Sequence, residues 1–486
     1  MRYVALAAAY DGTLAEDGRC DEQCVEALRA LAASGRKLIL VTGRELRELL
    51  EMFPEARVFD YLIAENGAVM HRPATRESAI LGQAPSEILL QELHRRHITP
   101  LSVGSSMVTT DSSNEVEVSE VIQKLQLDIQ LLSNAGSIII LPSDINKASG
   151  VLAVLKELKL SPRNLIAIGD AKNDLEMLGL AEYGVAVQNA DPELKQSADR
   201  VTGGAYCTGF VELANDVIAT DLAYAAGRHR ITLGTRDDVR EVSIVPGRDS
   251  LLVCGPAGSG KSSICGRILH QLLQQEYQCC VIGTETNDSH TVLPGIAIFG
   301  DAHEIPRLND ILEALEEPSA SVVVNLGALP NETRPDFADA LLLQLQALHD
   351  RVGRPHAILM DQAHFFLSQT GSTSNAQRRR LHEVTKIYSS SDPALIPHEI
   401  LDSLQVVIEL GPSAVFLEEF SRSLAAPFLA DISLPHGHAL VWMREHDATL
   451  IQLRHFHEQH NQNLDGAAPD LSQPRPHAEL NPCLQK

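Results

Sequence analysis

Short aliphatic runs alternating with stretches of helical periodicity most restrict what this chain can fold into. In the first ~220 residues such runs occupy positions 3–9, 37–42, 61–64, 137–141, 165–169 and 184–187. Each is strand-length and bounded by turn residues, as strands buried on both faces are. A sheet of that kind needs helices over both faces, so the expected class is α/β with a Rossmann-like parallel sheet. Positions 70–140 interrupt the series with helical patterns at 86–97 and 116–125, and read as a small inserted α+β cap. A second series begins near Ile231 after the mixed segment 223–230, with strands expected at 251–254, 279–283, 321–325, 357–360 and 405–409. An amphipathic helix is expected at 335–351, with Phe337, Leu341, Leu345 and Leu348 on one face. Two α/β units follow, over residues 1–222 and 230–456, with a polar, disordered tail at 457–486.

Bulk properties agree with this and narrow the partners. The 486 residues allow several compact units, and 44% apolar residues with 4% aromatics describe an ordinary globular chain. Acidic residues outnumber basic ones 64 to 40, a formal charge of −24 that disfavours phosphate-backbone partners. No apolar run reaches the ~18 residues of a membrane span. The opening segment to Ala9 imitates a secretory signal but ends at the turn Asp11-Gly12-Thr13. Eight cysteines form no metal-binding spacing, so reduced thiols in a cytoplasmic protein are expected.

The first unit carries four polar motifs, each at the end of an expected strand or the start of a helix. They are Ala9-Tyr10-Asp11-Gly12-Thr13-Leu14, Val41-Thr42-Gly43-Arg44, Asn146-Lys147-Ala148-Ser149-Gly150 and Gly169-Asp170-Ala171-Lys172-Asn173-Asp174. Loops beyond the carboxyl ends of parallel strands share one crevice. Phosphoryl chemistry there needs a nucleophile, a cation, a proton carrier and hydrogen-bond donors. Asp170, Asp174 and Asn173 offer oxygens to Mg²⁺, Lys147 a positive charge, Thr42 a hydroxyl and Asp11 an acid/base. In this order the motifs resemble those of the haloacid dehalogenase superfamily. The cap's position between the second and third motifs resembles the Cof-like, phosphoglycolate and sugar-phosphate phosphatases. The resemblance implies a Mg²⁺-dependent hydrolase of small phosphorylated metabolites, whose nucleophilic aspartate would stand at position 9. Here that residue is Ala9, whose methyl group can neither attack phosphorus nor bind metal. Two origins stay open, a substitution that disarms the enzyme or a natural pseudoenzyme, and survival of the other motif residues favours the first. Arg44 also has two readings, a substrate contact or a salt bridge at the following helix start.

In the second unit the strand at 251–254 runs into Gly255-Pro256-Ala257-Gly258-Ser259-Gly260-Lys261-Ser262-Ser263, a Walker A pattern that opens a helix. Its backbone amides are expected to cradle the phosphates of ATP, with Lys261 on the β- and γ-phosphates and Ser262 on Mg²⁺. Asp361 closes an apolar strand in the Walker B manner and would hold the same ion. The next position, commonly a glutamate that polarises water, is Gln362, which cannot take a proton. Asp361-Gln362-Ala363-His364 resembles the D-E-A-H form of RecA-like motors, including the HerA and FtsK group. Glu285, the run Arg378, Arg379 and Arg380, and His455, His457 and His460 read as solvated side chains rather than as catalytic, finger or metal groups. Rival expectations are end repair resembling the polynucleotide kinase-phosphatases and an ATP-switched homo-oligomeric regulator assembled through the P-loop unit.

Overall fold

A computed structural model describes residues 1–134, 136–223, 225, 227–236, 238–284, 295–367, 383–411, 416–417, 420, 434, 437–444 and 446–453. The expected α/β class holds in both halves. Eight strands form the first sheet, in the order Arg200–Val201, Tyr183–Ala186, Leu165–Gly169, Ala5–Ala9, Lys37–Val41, Tyr61–Ala64, Val69–Arg72 and Glu77–Ile80. The first six are parallel and the last two antiparallel. Ala5–Ala9 is central, and the chain leaves it for one side and later returns on the other. That reversal opens a crevice at the strand's carboxyl end, where Ala9 stands.

The insertion differs from expectation at its entry. Val69–Arg72 and Glu77–Ile80 extend the large sheet as a hairpin, because Val69, Met70 and His71 pair with Ala64, Ile63 and Leu62. The cap's own sheet has four antiparallel strands drawn from residues 101–142, so the strand Ser137–Pro142 lies in the cap rather than the core. Helices Glu87–Arg95 and Glu115–Leu125 pack Leu89, Leu93, Val118 and Val121 against Val108, Ile138 and Ile140.

The second sheet has eleven strands. Seven are parallel, in the order Val406–Glu409, Leu251–Cys254, Thr385–Ser390, Ala357–Met360, Cys279–Gly283, Ser321–Asn325 and Ile296–Phe299. Two hairpins, Ile231–Thr235 with Glu241–Ile244 and His438–Met443 with His446–Gln452, continue it antiparallel at one edge. Helix Arg334–Val352 buries Leu341, Leu345 and Leu348 as expected. The strand Thr385–Ser390 was not foreseen: four of its six residues are polar, which hides the apolar signature of a central strand.

The sheets meet at the amino ends of their strands through a buried polar seam. Glu182, just before Tyr183–Ala186, accepts hydrogen bonds from Arg2 at 2.6 Å and from the Tyr277 hydroxyl at 2.8 Å, and pairs with His229 at 2.9 Å. Asn164 donates to the Gly353 carbonyl at 3.0 Å and lies 3.1 Å from His356 Nε2. Burial drives the His356 pKa far below its usual value, aided by the charge of Arg354. Neutral imidazole suits the contacts, with Nδ1 accepting from Gln278 N at 2.8 Å and Nε2 donating to Asn164. Because strand starts face strand starts, the two carboxyl-end crevices open in opposite directions.

Candidate functional site

Strand ends and the turns after them assemble the first site. Beyond Ala9 the chain turns at Gly12, whose φ of +75° is left-handed. Gly12 is required there twice over, since a β-carbon would stand 2.0 Å from Asp170 Oδ2. The Thr13 hydroxyl donates to Asp170 Oδ1 at 2.8 Å, tying the first motif to the fourth. Burial, and then the negative charge of Asp174, pushes the Asp170 pKa up to about 6. A carboxylate so placed gains from a nearby cation.

Lys147, buried at the start of helix Lys147–Glu157, donates to Asp174 Oδ1 at 2.6 Å and to Asn173 Oδ1 at 3.2 Å. Asp174 Oδ2 accepts from the amides of Asp170 and Ala171, each at 3.0 Å. Both Asp174 oxygens are therefore engaged in shaping the turn and holding Lys147. The Asn173 amide reaches Asn66 Oδ1 at 3.0 Å. Of the two carboxylates expected to ligate Mg²⁺ here, Asp170 alone keeps an oxygen, Oδ2, outside the hydrogen bonds of the described residues, Oδ1 accepting from Thr13. Among the described residues no group of three or more His, Cys, Asp or Glu could hold a metal. The donor set fits Mg²⁺ in the sparse manner in which one carboxylate binds while substrate phosphate and water complete the shell.

Thr42 is buried beyond Lys37–Val41, and its hydroxyl accepts from Arg44 N at 3.1 Å. Arg44 grips Asp11 with Nε to Oδ2 at 2.8 Å and Nη2 to Oδ1 at 2.7 Å, and also pairs with Glu48. The structure shows the salt bridge to the following helix, at Glu48, and adds a grip on the motif residue Asp11. Sequence reasoning missed Thr13, Asn66 and Asn189, whose side chain donates to the Gly12 carbonyl at 2.8 Å. The signal for Asn66 was Glu65-Asn66-Gly67 directly after a buried strand, a run in which all three residues adopt positive φ. Glu65 reaches the cap, accepting from Ser105 N at 3.0 Å and Ser106 N at 3.1 Å.

The second site lies beyond Leu251–Cys254. Gly255, Gly258 and Gly260 have φ of +142°, +77° and +98°, the left-handed turns that aim successive amides inward. Lys261, Ser262 and Ser263 form the first turn of helix Lys261–Gln274. Lys261 Nζ donates to the Gly255 and Pro256 carbonyls at 2.8 and 2.9 Å, so the lysine is folded onto its own loop. Burial lowers its pKa. Among the described residues the buried Ser259 hydroxyl finds no hydrogen-bond partner, and a phosphate oxygen would satisfy it. Asp361 follows Ala357–Met360 and accepts from the Ser389 hydroxyl at the end of the unforeseen strand. Gln362 has φ of +55°, donates its amide to Ser389 Oγ at 3.0 Å and accepts at Oε1 from Ser391 Oγ at 3.1 Å. Ser389 was masked in the sequence by the polar character of its strand. Glu285, Arg378, Arg379, Arg380, His455, His457, His460 and the 457–486 tail lie outside the described residues.

Comparison with known proteins follows the same division. Residues 6–91 and 91–212 match the haloacid dehalogenase-like hydrolases, and residues 246–396 match the AAA domain family. A phosphoglycolate phosphatase of Methanothermobacter thermautotrophicus is 30% identical over 217 residues, covering 43% of this chain and 96% of that protein. One from Haloarcula marismortui is 29% identical over 215 residues, covering 42% and 92%. A haloacid dehalogenase-like hydrolase structure from Bacteroides thetaiotaomicron aligns with 22% identity and a TM-score of 0.41, covering 44% of this chain and 99% of its own. Through residues 6–212 the chain belongs to the haloacid dehalogenase-like hydrolases, and it carries an AAA domain in its second half.

Proposed function

We propose that the chain pairs a phosphomonoester site in residues 1–222 with an ATP site in residues 230–456, and that each holds its ligand without rapid turnover. The observation carrying this reading is the ordered ring around Ala9. Asp11 is held by Arg44, Asp170 by Thr13 and Lys147 by Asp174, while a methyl group occupies the nucleophile's position. Random loss of function would be expected to disturb the ring as well. Asp170 would hold Mg²⁺ together with the substrate's phosphate, and the ion would neutralise phosphoryl charge when bound. Lys147 supplies a second positive charge and Thr42 a hydroxyl. The cap favours a small phosphorylated metabolite over a polymer, since closure over the leaving group excludes water. The relatives' name makes 2-phosphoglycolate the first compound to try.

In the second half, ATP phosphates would take the place of the carbonyls that Lys261 now holds and would satisfy Ser259, and Ser262 and Asp361 would hold Mg²⁺. Gln362 orients water but cannot accept its proton, so hydrolysis is slow. End repair of nucleic acid is disfavoured by the opposed crevices, which one strand end could not visit without release, and by the charge of −24. An ATP-switched homo-oligomeric regulator is the second reading, favoured by losses confined to the two bond-breaking positions. Mass measurement with and without Mg·ATP tests it: no change in subunit number removes it.

The primary test is reversion. Ala9→Asp should create Mg²⁺-dependent release of phosphate from 2-phosphoglycolate or another small monoester, raising the rate at least ~10³-fold over the parent. Gln362→Glu should raise ATP hydrolysis ~10²-fold or more. A chain that binds neither phosphomonoester nor ATP in calorimetry, and gains nothing from either reversion, would be incompatible with the proposal.

A further inference from the structure

Three thiols meet beside the small hairpin that follows the first motif. Cys20 ends the strand Arg19–Cys20, Cys24 lies in the first turn of helix Glu22–Ala33, and Cys207 in the first turn of helix Tyr206–Thr220. Asp21 gathers them. Its carboxylate accepts from Cys24 N at 2.8 Å and from Cys207 Sγ at 3.0 Å, and its carbonyl oxygen lies 3.8 Å from Cys20 Sγ. The neighbouring Cys20 and Cys207 thiols, together with burial, hold the Cys24 thiol well above its ordinary pKa. Cys24 and Cys207 are buried, whereas Cys20 is half-buried. A cleft of about 780 Å³ lined by Asp17, Arg19, Asp21 and Cys207 opens beside the cluster. The thiols do not converge as a metal shell would, since among the described residues no group of three or more potential ligands could hold an ion.

We propose that this cluster is a redox-modification site at which a hydroperoxide joins Cys20 to Cys24 as a disulfide. Cys20, the more accessible thiol, attacks the terminal peroxide oxygen as the thiolate. The O–O bond breaks, leaving a sulfenic acid on Cys20 and, from hydrogen peroxide, one water. Cys24 then attacks the sulfenic sulfur, an S–S bond forms, and the hydroxyl departs with the Cys24 proton as a second water. Two thiols are oxidised by two electrons and one peroxide is reduced. Cys24, four residues on and tied through its backbone amide to the same Asp21 that Cys20 adjoins, is the neighbouring thiol that resolves it.

The bond has a mechanical consequence. The hairpin Ala15–Glu16 with Arg19–Cys20 begins where Asp11 bridges to Ala15, with Gly12 N bonded to Ala15 O at 2.9 Å. Tying Cys20 to the helix restrains the segment that carries Asp11 and the exposed Arg19.

Full-length protein treated with hydrogen peroxide, then alkylated and mapped by mass spectrometry, tests the site. A dithiothreitol-reversible loss of two hydrogens should appear on the peptide containing Cys20 and Cys24. Cys254, Cys265, Cys279 and Cys280, all buried in the other half, serve as internal controls. Tryptic cleavage after Arg19 should slow at least ~5-fold on oxidation, because cutting there requires local opening. Cys20→Ser should abolish both effects. Cys24→Ser should leave a sulfenic acid on Cys20 that a dione reagent captures, so the proposal stays testable even if one variant folds poorly. A Cys24–Cys207 link, or oxidation of Cys20 to sulfinic acid without any link, overturns the proposal.

Discussion

Gly12 shows how much one position can hold in place. It turns with φ of +75°, and Asp170 Oδ2 fills the space where its β-carbon would be, at 2.0 Å. Gly12→Ala combines left-handed strain of about 1 to 2 kcal/mol with a clash against the half-buried Asp170 carboxylate of about 1 to 3 kcal/mol. We expect a loss of about 2 to 5 kcal/mol in urea unfolding and weakened Mg²⁺-dependent phosphate binding; unchanged stability would refute the packing argument. The motif glycine was legible in the sequence, but its contact with Asp170 was not, because the partner lies far along the chain. The same holds for Thr13 and Asn66, whose small polar side chains acquire meaning from Asp170 and Asn173. Asp174 illustrates the converse. Its carboxylate suggested a metal ligand, yet Lys147 and two backbone amides occupy both oxygens.

Among the elements, Thr385–Ser390 departs furthest from its sequence signature. It lies between the strands bearing the P-loop and Asp361, and its last residues hold Asp361 and Gln362 in position. Lys386, opposite Ile358, is the exception to the buried surroundings of this strand. Burial lowers its pKa from 10.5 to about 8. The folded state therefore disfavours the charged form. The penalty is complete below about pH 8 and is relieved as pH rises towards 10.5, where the unfolded chain also loses its proton. Lys386→Met should stabilise the protein at pH 7 by about 1 to 3 kcal/mol and remove most of the rise in stability between pH 8 and 10, measured by chemical denaturation. A destabilised variant would show that the ammonium group makes a favourable contact. Five of the other parallel strands of this sheet were legible because their residues are mostly apolar, whereas the edge strand Ile296–Phe299 was not expected. The hairpin Val69–Arg72 with Glu77–Ile80 was assigned to the cap because periodicity reveals a strand but not the sheet it joins.

At the scale of the whole molecule, Glu182 decides how the halves sit together. Its carboxylate is 1% exposed and meets Arg2, Arg163, His229 and Tyr277. Burial alone would raise its pKa, but the His229 hydrogen bond and the Arg2 charge hold it below 4.5. A depressed carboxylate pKa contributes stability that is fully present above the unfolded value of 4.5 and lost as pH falls through the folded value. The seam should therefore weaken in acid. Glu182→Ala removes the carboxylate partner of Arg2 inside the seam, at a cost of about 3 to 5 kcal/mol. We expect one calorimetric transition in the parent and two in the variant; a single transition of unchanged midpoint would mean that the seam does not couple the halves. No helix among the described residues is long and apolar enough to cross a membrane. From sequence alone, the chain determined its α/β class, the order of its motifs and the turns that present them, because strand-length aliphatic runs and glycine-rich turns act locally. Tertiary structure alone decided which carboxylate faces the crevice, which serine holds Asp361, and that the two crevices face apart. Those depend on contacts between residues distant in the chain, which local patterning does not encode.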